Sequence, residues 1–374
     1  MKKVLFATTA LVATAGVAAA DVTFGGLGRF GIRYDAATDG TTGTGTAAQI
    51  TAAQATATTS AGVAATANAL VATNTALGTV TGAEIAAAAT ANAAAAADQA
   101  AVDAISVKAP SDSVTQLTTR IRLVVTATAE SDNGLSFGAQ IRYQADGHEA
   151  SQGLAGTAGF NTPRFWVTSG AFTVSVGQVL GAIENMPGMY TGSIGLTGLG
   201  YGNVAYNFGA DAYTSGNAGS QGMDIIWASG NWGVHLSHSW SGQGNGENYE
   251  ERSALSVSYV MGNYTFALGA QDSDKAGDTS WAGTVGGTWG NFDGAFQIAD
   301  NDGDMKYGIA GNYQVGSSTF IRGYLNHDEG LGTSGDENIG IGFQHRMGGG
   351  TFLEGGVADL AGNTRADLGL RFSF

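Results

Sequence analysis

The sequence contains no cysteine among its 374 residues. This absence excludes a disulfide framework and any metal site built from thiolate ligands. A chain of this length buries a large core or forms two domains, so its stability does not depend on such cross-links.

Basic residues are scarce: 16 lysines and arginines stand against 31 acidic residues, which gives a formal net charge of -15. Proteins that bind nucleic acid present a basic surface to the phosphates, and this chain has too little positive charge for one. We therefore expect no nucleic-acid partner.

Long apolar runs are also missing, apart from one at the start of the chain. Two lysines precede an apolar stretch over Val4–Val17, and Ala18–Ala20 supplies small residues suited to cleavage. This pattern predicts a secretory signal peptide over residues 1–20. A membrane anchor is the competing interpretation, but the run is short and ends in a cleavage sequence. No later segment reaches the roughly 18 apolar residues that a membrane helix needs, so we expect no helical span after Asp21.

What the chain does have is alternation of apolar and polar residues, together with 60 glycines. In TTRIRLVVTAT, residues 118–128, Ile121 and Leu123 fall on one face, whereas Arg120 and Arg122 fall on the other. Successive strand side chains point to opposite faces, so this segment predicts a strand with one apolar and one cationic face. The same pattern predicts sixteen strands, near residues 22–34, 115–128, 134–146, 160–169, 171–179, 222–230, 232–240, 250–261, 263–272, 280–288, 291–300, 304–315, 318–328, 336–347, 350–360 and 365–374.

An even number of strands, with short and long connections in alternation, is typical of a bacterial outer-membrane barrel. Tight turns such as 230–231 and 262–263 alternate with longer segments at 147–159, 180–221 and 241–249. Aromatic residues recur near strand ends, as expected at membrane interfaces: Tyr34, Tyr143, Tyr259, Tyr264, Phe266, Tyr307, Tyr313, Phe343 and Phe374. A soluble β-sandwich also fits the alternation, but it accounts for neither the strand count nor the connections. The prediction is an all-β fold, a sixteen-stranded antiparallel transmembrane β-barrel.

The segment FGGLGRFGIR, residues 24–33, carries the glycine spacing of a dinucleotide-binding turn at Gly26, Gly28 and Gly31. In a Rossmann unit these glycines follow a buried strand and open a helix, and an acidic residue follows about 20 positions later. Here a strand continues through Tyr34, and only Ala, Thr, Gln and Ile occur around position 50. The spacing is accidental, and the glycines predict a close-packed barrel strand that leaves room in the lumen.

Three segments resemble the general diffusion porins of purple bacteria such as Rhodobacter: DVTFGGLGRFGIRYD at residue 21, TTRIRLVVTATAESDNGLSFGAQIRY at residue 118, and the closing GGGTFLEGGVADLAGNTRADLGLRFSF. The resemblance spans nearly all of the chain after the signal peptide except residues 36 to about 112. Its closing strand ends in Phe374, which is similar to the outer-membrane sorting signal. The resemblance implies a homotrimer of sixteen-stranded barrels in the bacterial outer membrane, each with a third external loop folded inward to narrow the pore.

Residues 180–221 stand in the place of that constriction loop, after the fifth strand. Within them GNVAYNF, at 202–208, alternates weakly, but a strand there would make the strand count odd, so we assign it to the loop. The loop departs from the family in having few acids and several apolar residues, namely Met186, Met189, Ile194, Leu196 and Leu199. This departure predicts weak ion selectivity.

A water-filled pore needs charged groups at its waist. Glu184 and Asp211 are the only carboxylates of the predicted loop. The arginines at lumen-facing positions of the first four strands are Arg29, Arg33, Arg120, Arg122 and Arg142, with Arg164 as a further candidate. We expect them to form a cationic wall facing the loop, with loop carboxylates or water screening their repulsion. The alternative is that each arginine is only a solvated lumen residue.

Other candidate sites are weaker. His235 and His238 face opposite sides of a strand, so they cannot bind one metal ion together. DNDGD at 300–304 begins like a calcium loop, but Met305 and Gly311 occupy the positions that need Gly and Glu, so we expect an ordinary turn. We expect no cofactor beyond loosely bound Ca²⁺ that bridges acidic external-loop residues to lipopolysaccharide; the candidates are Asp272, Asp274, Asp278, Asp328 and Glu329. No nucleophile motif supports an enzyme.

Residues 36–112 form an Ala/Thr-rich insertion in the first external loop. Val63, Leu70 and Leu77 recur every seven positions, and 83–107 consists almost wholly of good helix formers, so a helical hairpin broken near Gly78 is one prediction. Disorder is the other, because Ala and Thr bury little apolar surface against the loss of chain entropy. In either case the insertion projects from the cell or caps the pore.

Three functions remain in view. The first is a passive, water-filled outer-membrane channel for ions and small hydrophilic solutes. The second is a surface adhesin or receptor that displays residues 36–112 on a barrel. The third is a barrel enzyme, which would need a Ser or Asp at the rim and has no supporting motif.

Overall fold

The computed structural model describes residues 21–37, 47–105, 112–147, 157–207, 219, 221–240, 251–273, 279–330 and 337–374. The signal peptide predicted over residues 1–20 lies outside the described residues. The chain divides into two compact units, a large β-sheet and the helical segment Ala36–Ser113.

Seventeen strands form one antiparallel sheet. Their bounds are β1 Asp21–Asp35, β2 Val114–Glu130, β3 Ser136–Asp146, β4 Thr157–Phe160, β5 Arg164–Ser169, β6 Phe172–Gly177, β7 Gly222–Ser229, β8 Trp232–Ser239, β9 Arg252–Met261, β10 Tyr264–Ser273, β11 Ser280–Trp289, β12 Phe292–Asn301, β13 Asp304–Val315, β14 Thr319–Asp328, β15 Glu337–Gly348, β16 Thr351–Leu360 and β17 Asn363–Ser373. β4 and β5 both pair with β3 and share one position, so the sheet has sixteen positions. β1 pairs with β2 on one side and with β17 on the other, which closes the sheet. The predicted sixteen-stranded barrel is confirmed.

One predicted strand, 160–169, is divided in two. Pro163 lies in the gap and has no backbone N–H to donate to a ladder. The Asn161 side chain takes over part of the pairing, because its Oδ1 accepts a hydrogen bond from the Arg142 N–H at 2.7 Å. Every other strand begins and ends within two residues of its predicted bounds, and residues 201–207 lie outside any strand, as predicted.

The two faces of the barrel differ as the alternation predicts. Large apolar side chains on the outer face are exposed, among them Leu117 at 75% and Leu268 at 63%. Their neighbours along each strand point inward and are mostly polar or small, for example Thr118 and Ala267. Because the sheet is closed, the inner face encloses a lumen and the outer face suits a lipid environment.

Aromatic rings cluster on the outer face beside the tight turns. Trp232 and Tyr259 lie 4.5 Å apart between ring centroids, and Tyr264 and Trp289 lie 5.4 Å apart. These rings belong to neighbouring strands at the same end of the barrel. Their position matches an aromatic girdle at a membrane interface.

The tight turns follow from their glycines. Each of the turns at 170–171, 230–231, 262–263 and 290–291 begins with a glycine whose φ lies between 54° and 61°. A type II′ turn requires this left-handed conformation at its first central position, and its twist suits a hairpin. At 300–304 the structure forms a two-residue turn through Asp302 and Gly303 with both φ positive, as in a type I′ hairpin. The calcium-like sequence is therefore an ordinary turn, as predicted.

The second unit is a helical hairpin formed by α1, Ala47–Ala76, and α2, Gly82–Ile105. The buried side chains are small: Ala57, Ala64, Ala88 and Val102. The repeat Val63, Leu70 and Leu77 is exposed, so it does not form the seam between the helices. Small residues seven apart let the two backbones approach closely, and the larger residues point away. Neither described helix is both long and apolar enough to cross a membrane.

Hydrogen bonds align the two helices. Asn68 and Asn92 exchange side-chain amide bonds of 2.9 and 3.2 Å, and Asn74 donates to Glu84 at 2.7 Å. At the start of α2, Thr81 and Glu84 form a capping box, in which the Thr81 N–H donates to Glu84 Oε2 and the Glu84 N–H donates to Thr81 Oγ1. The bonds from the backbone N–H and hydroxyl of Thr81 lower the pKa of Glu84 below its usual value.

Replacing the cap residue tests this arrangement. Thr81→Ala should destabilise the first turn of α2 by about 1 kcal/mol, because it removes the hydroxyl that accepts from the Glu84 N–H and donates to the Glu84 carboxylate. Amide hydrogen exchange over residues 82–86 should become several-fold faster. Thr90→Ala is the control, since its hydroxyl bonds only to the Ala86 carbonyl within the same helix. Equal exchange rates in the two variants would contradict the cap.

The capping box also predicts a dependence on pH. Because folding lowers the pKa of Glu84, its contribution to stability is present at neutral pH and is lost as pH falls through that lowered value. Protection of the 82–86 amides should decrease below about pH 4 in the native chain. Glu84→Gln, which cannot ionise, should show no such decrease.

Candidate functional site in the barrel lumen

The five predicted arginines lie on the inner face of β1, β2 and β3. Arg29 stands opposite Arg120 on β2, and on its other side opposite Arg371 on β17. Arg122 stands opposite Gln144, and Arg142 opposite Val124. Directly opposed residues of an antiparallel pair share a face, so these arginines, together with Arg33, form one group on the inner wall. Arg164 on β5 stands opposite Gln140 and extends the group.

Two of these arginines pair with carboxylates of the wall itself. Arg33 forms an ion pair with Asp35 at 2.8 Å, and Arg120 forms one with Asp146. The sequence-based prediction assigned this screening to loop carboxylates or water, and it did not include these two wall residues. The signal was present, because Asp35 and Asp146 alternate in step with the arginines on their own strands. Arg122 donates to the neutral Gln144 at 2.7 Å.

Sequence analysis also missed inward-facing charges on the last strands. Arg371 donates two hydrogen bonds to Glu354, of 2.9 and 2.8 Å. Gln344 links Glu354 to Arg322. Its side-chain amide donates to Glu354, and its Oε1 accepts a hydrogen bond from Arg322 at 2.8 Å. Alternation with Leu368 and Leu370 on β17 would have placed Arg371 inside. The cationic wall therefore extends from β14 through β1 to β5.

The first described part of the connection between β6 and β7, residues 178–207, packs against the inner wall; we call it the β6–β7 segment. Ile183, Met186 and Met189 are buried in one cluster with Ala254, Ala267, Ala282 and Ala299 of the wall. Ile194 and Leu199 are buried in a second cluster with Ala310, Tyr324 and Ala358. The apolar residues that distinguish this segment thus contact small wall residues. They do not form the surface that faces the open lumen.

The glycine motif of residues 24–33 contributes to this packing. Gly31 on β1 stands directly opposite Gly369 on β17. A Cβ on either glycine would lie only 2.7 or 2.6 Å from the Leu196 side chain. The third glycine of the apparent dinucleotide motif therefore leaves space for the β6–β7 segment. The segment itself gave no sequence signal for this contact.

Hydrogen bonds hold the β6–β7 segment to the wall from β8 round to β1. They join the Ala182 N–H to Ser237 on β8 (2.8 Å), Thr284 on β11 to the Pro187 carbonyl (2.6 Å), Gln297 on β12 to the Gly188 carbonyl (3.0 Å) and Arg322 on β14 to the Ser193 carbonyl (3.3 Å). The segment therefore follows an arc of eleven of the sixteen strand positions, and this arc includes the strands that lie across the ring from β2, β3 and β5.

Asp367 on β17 anchors the middle of the segment. Its two carboxylate oxygens accept hydrogen bonds from the Leu196 N–H (2.9 Å), the Thr197 N–H (2.7 Å) and the Thr197 hydroxyl (2.8 Å). Arg29 donates to the Leu196 carbonyl at 3.1 Å. Asp367 is only 6% exposed. Arg29 thus binds the segment as well as belonging to the charged wall.

Of the two predicted loop carboxylates, Glu184 accepts a hydrogen bond from the Tyr190 hydroxyl at 2.9 Å. Asp211 lies outside the described residues. Glu184 is the only charged residue within 179–207. The described part of the segment therefore presents a nearly neutral surface to the lumen.

The two histidines on β8 lie on opposite faces, as predicted. His235 is buried inside, 3.6 Å from Asp224, which in turn lies 3.8 Å from Arg164. His238 lies on the outer face and is bonded to Ser253 at 2.9 Å. The Asp224 carboxylate belongs to the charged wall on β7, and sequence analysis missed it.

Comparison with known proteins settles the family. The model of the Gram-negative porin family matches residues 65–365. The chain belongs to the Gram-negative porins. It is 30% identical over 280 residues to a porin of Fuscovulum blasticum. The aligned region covers 70% of this chain and 92% of that porin. Two solved variants of the Rh. blastica porin superpose with a TM-score of 0.64 at 19% identity, covering 95% of this chain and 100% of theirs.

Membership in this family confirms the resemblance drawn from the sequence. This porin is an outer-membrane channel, located in the outer membrane of a Gram-negative bacterium. The similarity to the solved variants confirms the barrel fold.

Asp367 offers a direct test of how the β6–β7 segment is held. Asp367→Ala should weaken the attachment of Leu196 and Thr197 by roughly 2 kcal/mol, because two backbone N–H groups lose their acceptor. Amide exchange at these two residues should be more than tenfold faster. Asp367→Asn retains one acceptor oxygen and should be intermediate.

A matched control for this test is Asp293→Ala. Asp293 is a wall carboxylate that accepts hydrogen bonds from Asn312 and Thr288, which also belong to the wall. Its loss should leave exchange at Leu196 and Thr197 unchanged. Similar acceleration in both variants would show that Asp367 is no specific anchor.

Proposed function

We propose that this porin is a passive diffusion channel for ions and small hydrophilic solutes, and that the β6–β7 segment is the inward-folded loop that narrows its pore. The observation that carries the proposal is the series of hydrogen bonds from β8 to β1. A segment attached along that arc occupies one side of the lumen. The remaining passage runs between it and the wall formed by β2, β3 and β5.

The two sides of this passage differ in the number of charged side chains. Arg120, Arg122, Arg142 and Arg164 lie on the wall, and Asp146 and Asp224 compensate part of that charge. The opposite surface carries Glu184. A partly neutralised cationic wall favours anions at the waist, whereas the net charge of -15 favours cations in the outer vestibule. The two effects oppose each other, so the proposed channel is weakly selective.

The proposed assembly is a homotrimer embedded among outer-membrane lipids and lipopolysaccharide, as the porin resemblance implies. The channel uses no cofactor and catalyses no reaction. Ca²⁺ bound loosely at Asp272 and Glu329 bridges the rim to lipopolysaccharide. Asp328 is no longer a candidate calcium ligand, because it is buried and forms an ion pair with Lys306 at 3.0 Å. Asp274 and Asp278 lie outside the described residues.

Planar-bilayer recording tests the channel and its charged wall together. Purified porin should conduct KCl in large steps that occur in threes. The double variant Arg122→Gln and Arg142→Gln should shift the anion-to-cation permeability ratio toward cations by on the order of twofold, as expected for charges acting across a water-filled lumen. The reversal potential in a salt gradient measures the ratio. Gln271→Glu, a charge change on the inner face of β10, serves as a position control.

A surface receptor is the second candidate, and the ordered hairpin of α1 and α2 is the observation that favours it. Removing residues 40–108 separates the two functions. The diffusion channel should retain its conductance without the insertion. Loss of cell or ligand binding with unchanged conductance would support a receptor role, and absence of conductance in the intact porin would overturn the channel.

A further inference from the structure

The surface of the β6–β7 segment that faces away from the wall carries two tyrosines. Tyr190 is 42% exposed and Tyr201 is 46% exposed, whereas Met189 and Leu199 beside them are almost fully buried. Their ring centroids lie 6.2 Å apart and the ring planes meet at 84°. The two rings therefore form an open edge-to-face pair.

The backbone holds this arrangement at a conformational cost. Leu199 and Tyr201 adopt left-handed φ values of 44° and 55°, which residues other than glycine rarely do. The Tyr201 ring lies directly on Gly198, where a Cβ would be 2.6 Å from a ring carbon. These strained residues bury Leu199 against the wall and turn Tyr201 toward open space. Such strain is retained where the surrounding structure fixes a particular side-chain placement.

The barrel order places the arginine wall across from Tyr190. Gly188 is bonded to Gln297 on β12, and Gly192 abuts Ala310 on β13, so Tyr190 lies over these two strands. In a ring of sixteen positions, β12 and β13 lie opposite β3 and β5. Those strands carry Arg142 and Arg164 on their inner face. A solute in the passage meets aromatic rings on one side and guanidinium groups on the other.

We propose that Tyr190 and Tyr201 form a stacking site for solutes that combine a flat ring with a negative charge, such as aromatic carboxylates. The site rests on the proposed diffusion channel and names a solute class for it. A flat ring stacks on one tyrosine and meets the edge of the other. Its carboxylate points across the lumen toward the arginine wall and away from Glu184, which accepts a hydrogen bond from the Tyr190 hydroxyl. A carboxylate on an aliphatic ring is attracted by the arginines equally, but its ring does not stack on the tyrosines.

Current block in planar bilayers tests the site with two probes of equal charge and similar size, benzoate and cyclohexanecarboxylate. In the native porin, benzoate should block the KCl current at a concentration roughly threefold to tenfold lower, which corresponds to the usual strength of an aromatic pair. The variants Tyr190→Leu and Tyr201→Leu should each reduce this preference, and the double variant should abolish it.

Two sets of controls separate stacking from other effects. Tyr190→Phe and Tyr201→Phe keep the rings and should keep the preference, although Tyr190→Phe loses the bond to Glu184. Tyr307→Leu removes a tyrosine of similar exposure, 41%, from the outer face and should change nothing. Arg142→Gln should weaken block by benzoate but not by benzyl alcohol, which has the ring without the charge.

The outcomes are distinct. Equal block by the two acids in the native porin, or a preference for benzoate that survives the double leucine variant, would overturn the stacking site. In either case the KCl conductance would still stand. Absence of KCl conductance would instead overturn the diffusion channel on which the site rests.

Discussion

Ring closure is the constraint on which the rest of this structure depends. In a lipid environment a backbone N–H or carbonyl without a partner costs several kcal/mol, so a sheet must leave no free edge. Here β1 supplies the closure by pairing with both β2 and β17. Once the sheet is closed, the outward residues must be apolar, whereas the inward ones are free to be charged. The inner wall can therefore carry arginines.

The β6–β7 segment shows how a closed wall accommodates a chain segment packed against its inner face. Large apolar residues such as Ile183 and Ile194 need space, and the wall provides it with alanines and with paired glycines at Gly31 and Gly369. Polar wall residues, above all Asp367, satisfy the backbone of the segment. Packing and hydrogen bonding thus use the wall on one side, which leaves the charged groups of the other side facing solvent.

Much of the barrel was predictable because alternation has a period of two and is read locally. That rule placed the strands within about two residues and put the five arginines on one face. The division at Pro163 depends on Asn161, whose side chain replaces a backbone partner, and alternation carries no sign of such a replacement.

The site was less predictable because its contacts join distant parts of the chain. Asp367 and Leu196 meet only through the closed ring, and no local pattern relates them. Arg371 and Glu354 were within reach of the alternation rule, which predicted their strands, but their inward-facing charges were not included in the predicted site. In the hairpin, Val63 and Leu70 suggested an apolar contact between the helices, but small residues allow closer helix packing, so Ala57 and Ala64 form that contact.

The barrel closes where β1 pairs with β17, which places Asp35 opposite Arg365 from the other end of the chain. Such distant pairing is slow to form, so assembly ends with the meeting of the first and last strands, and until then both present unpaired edges to any neighbouring chain.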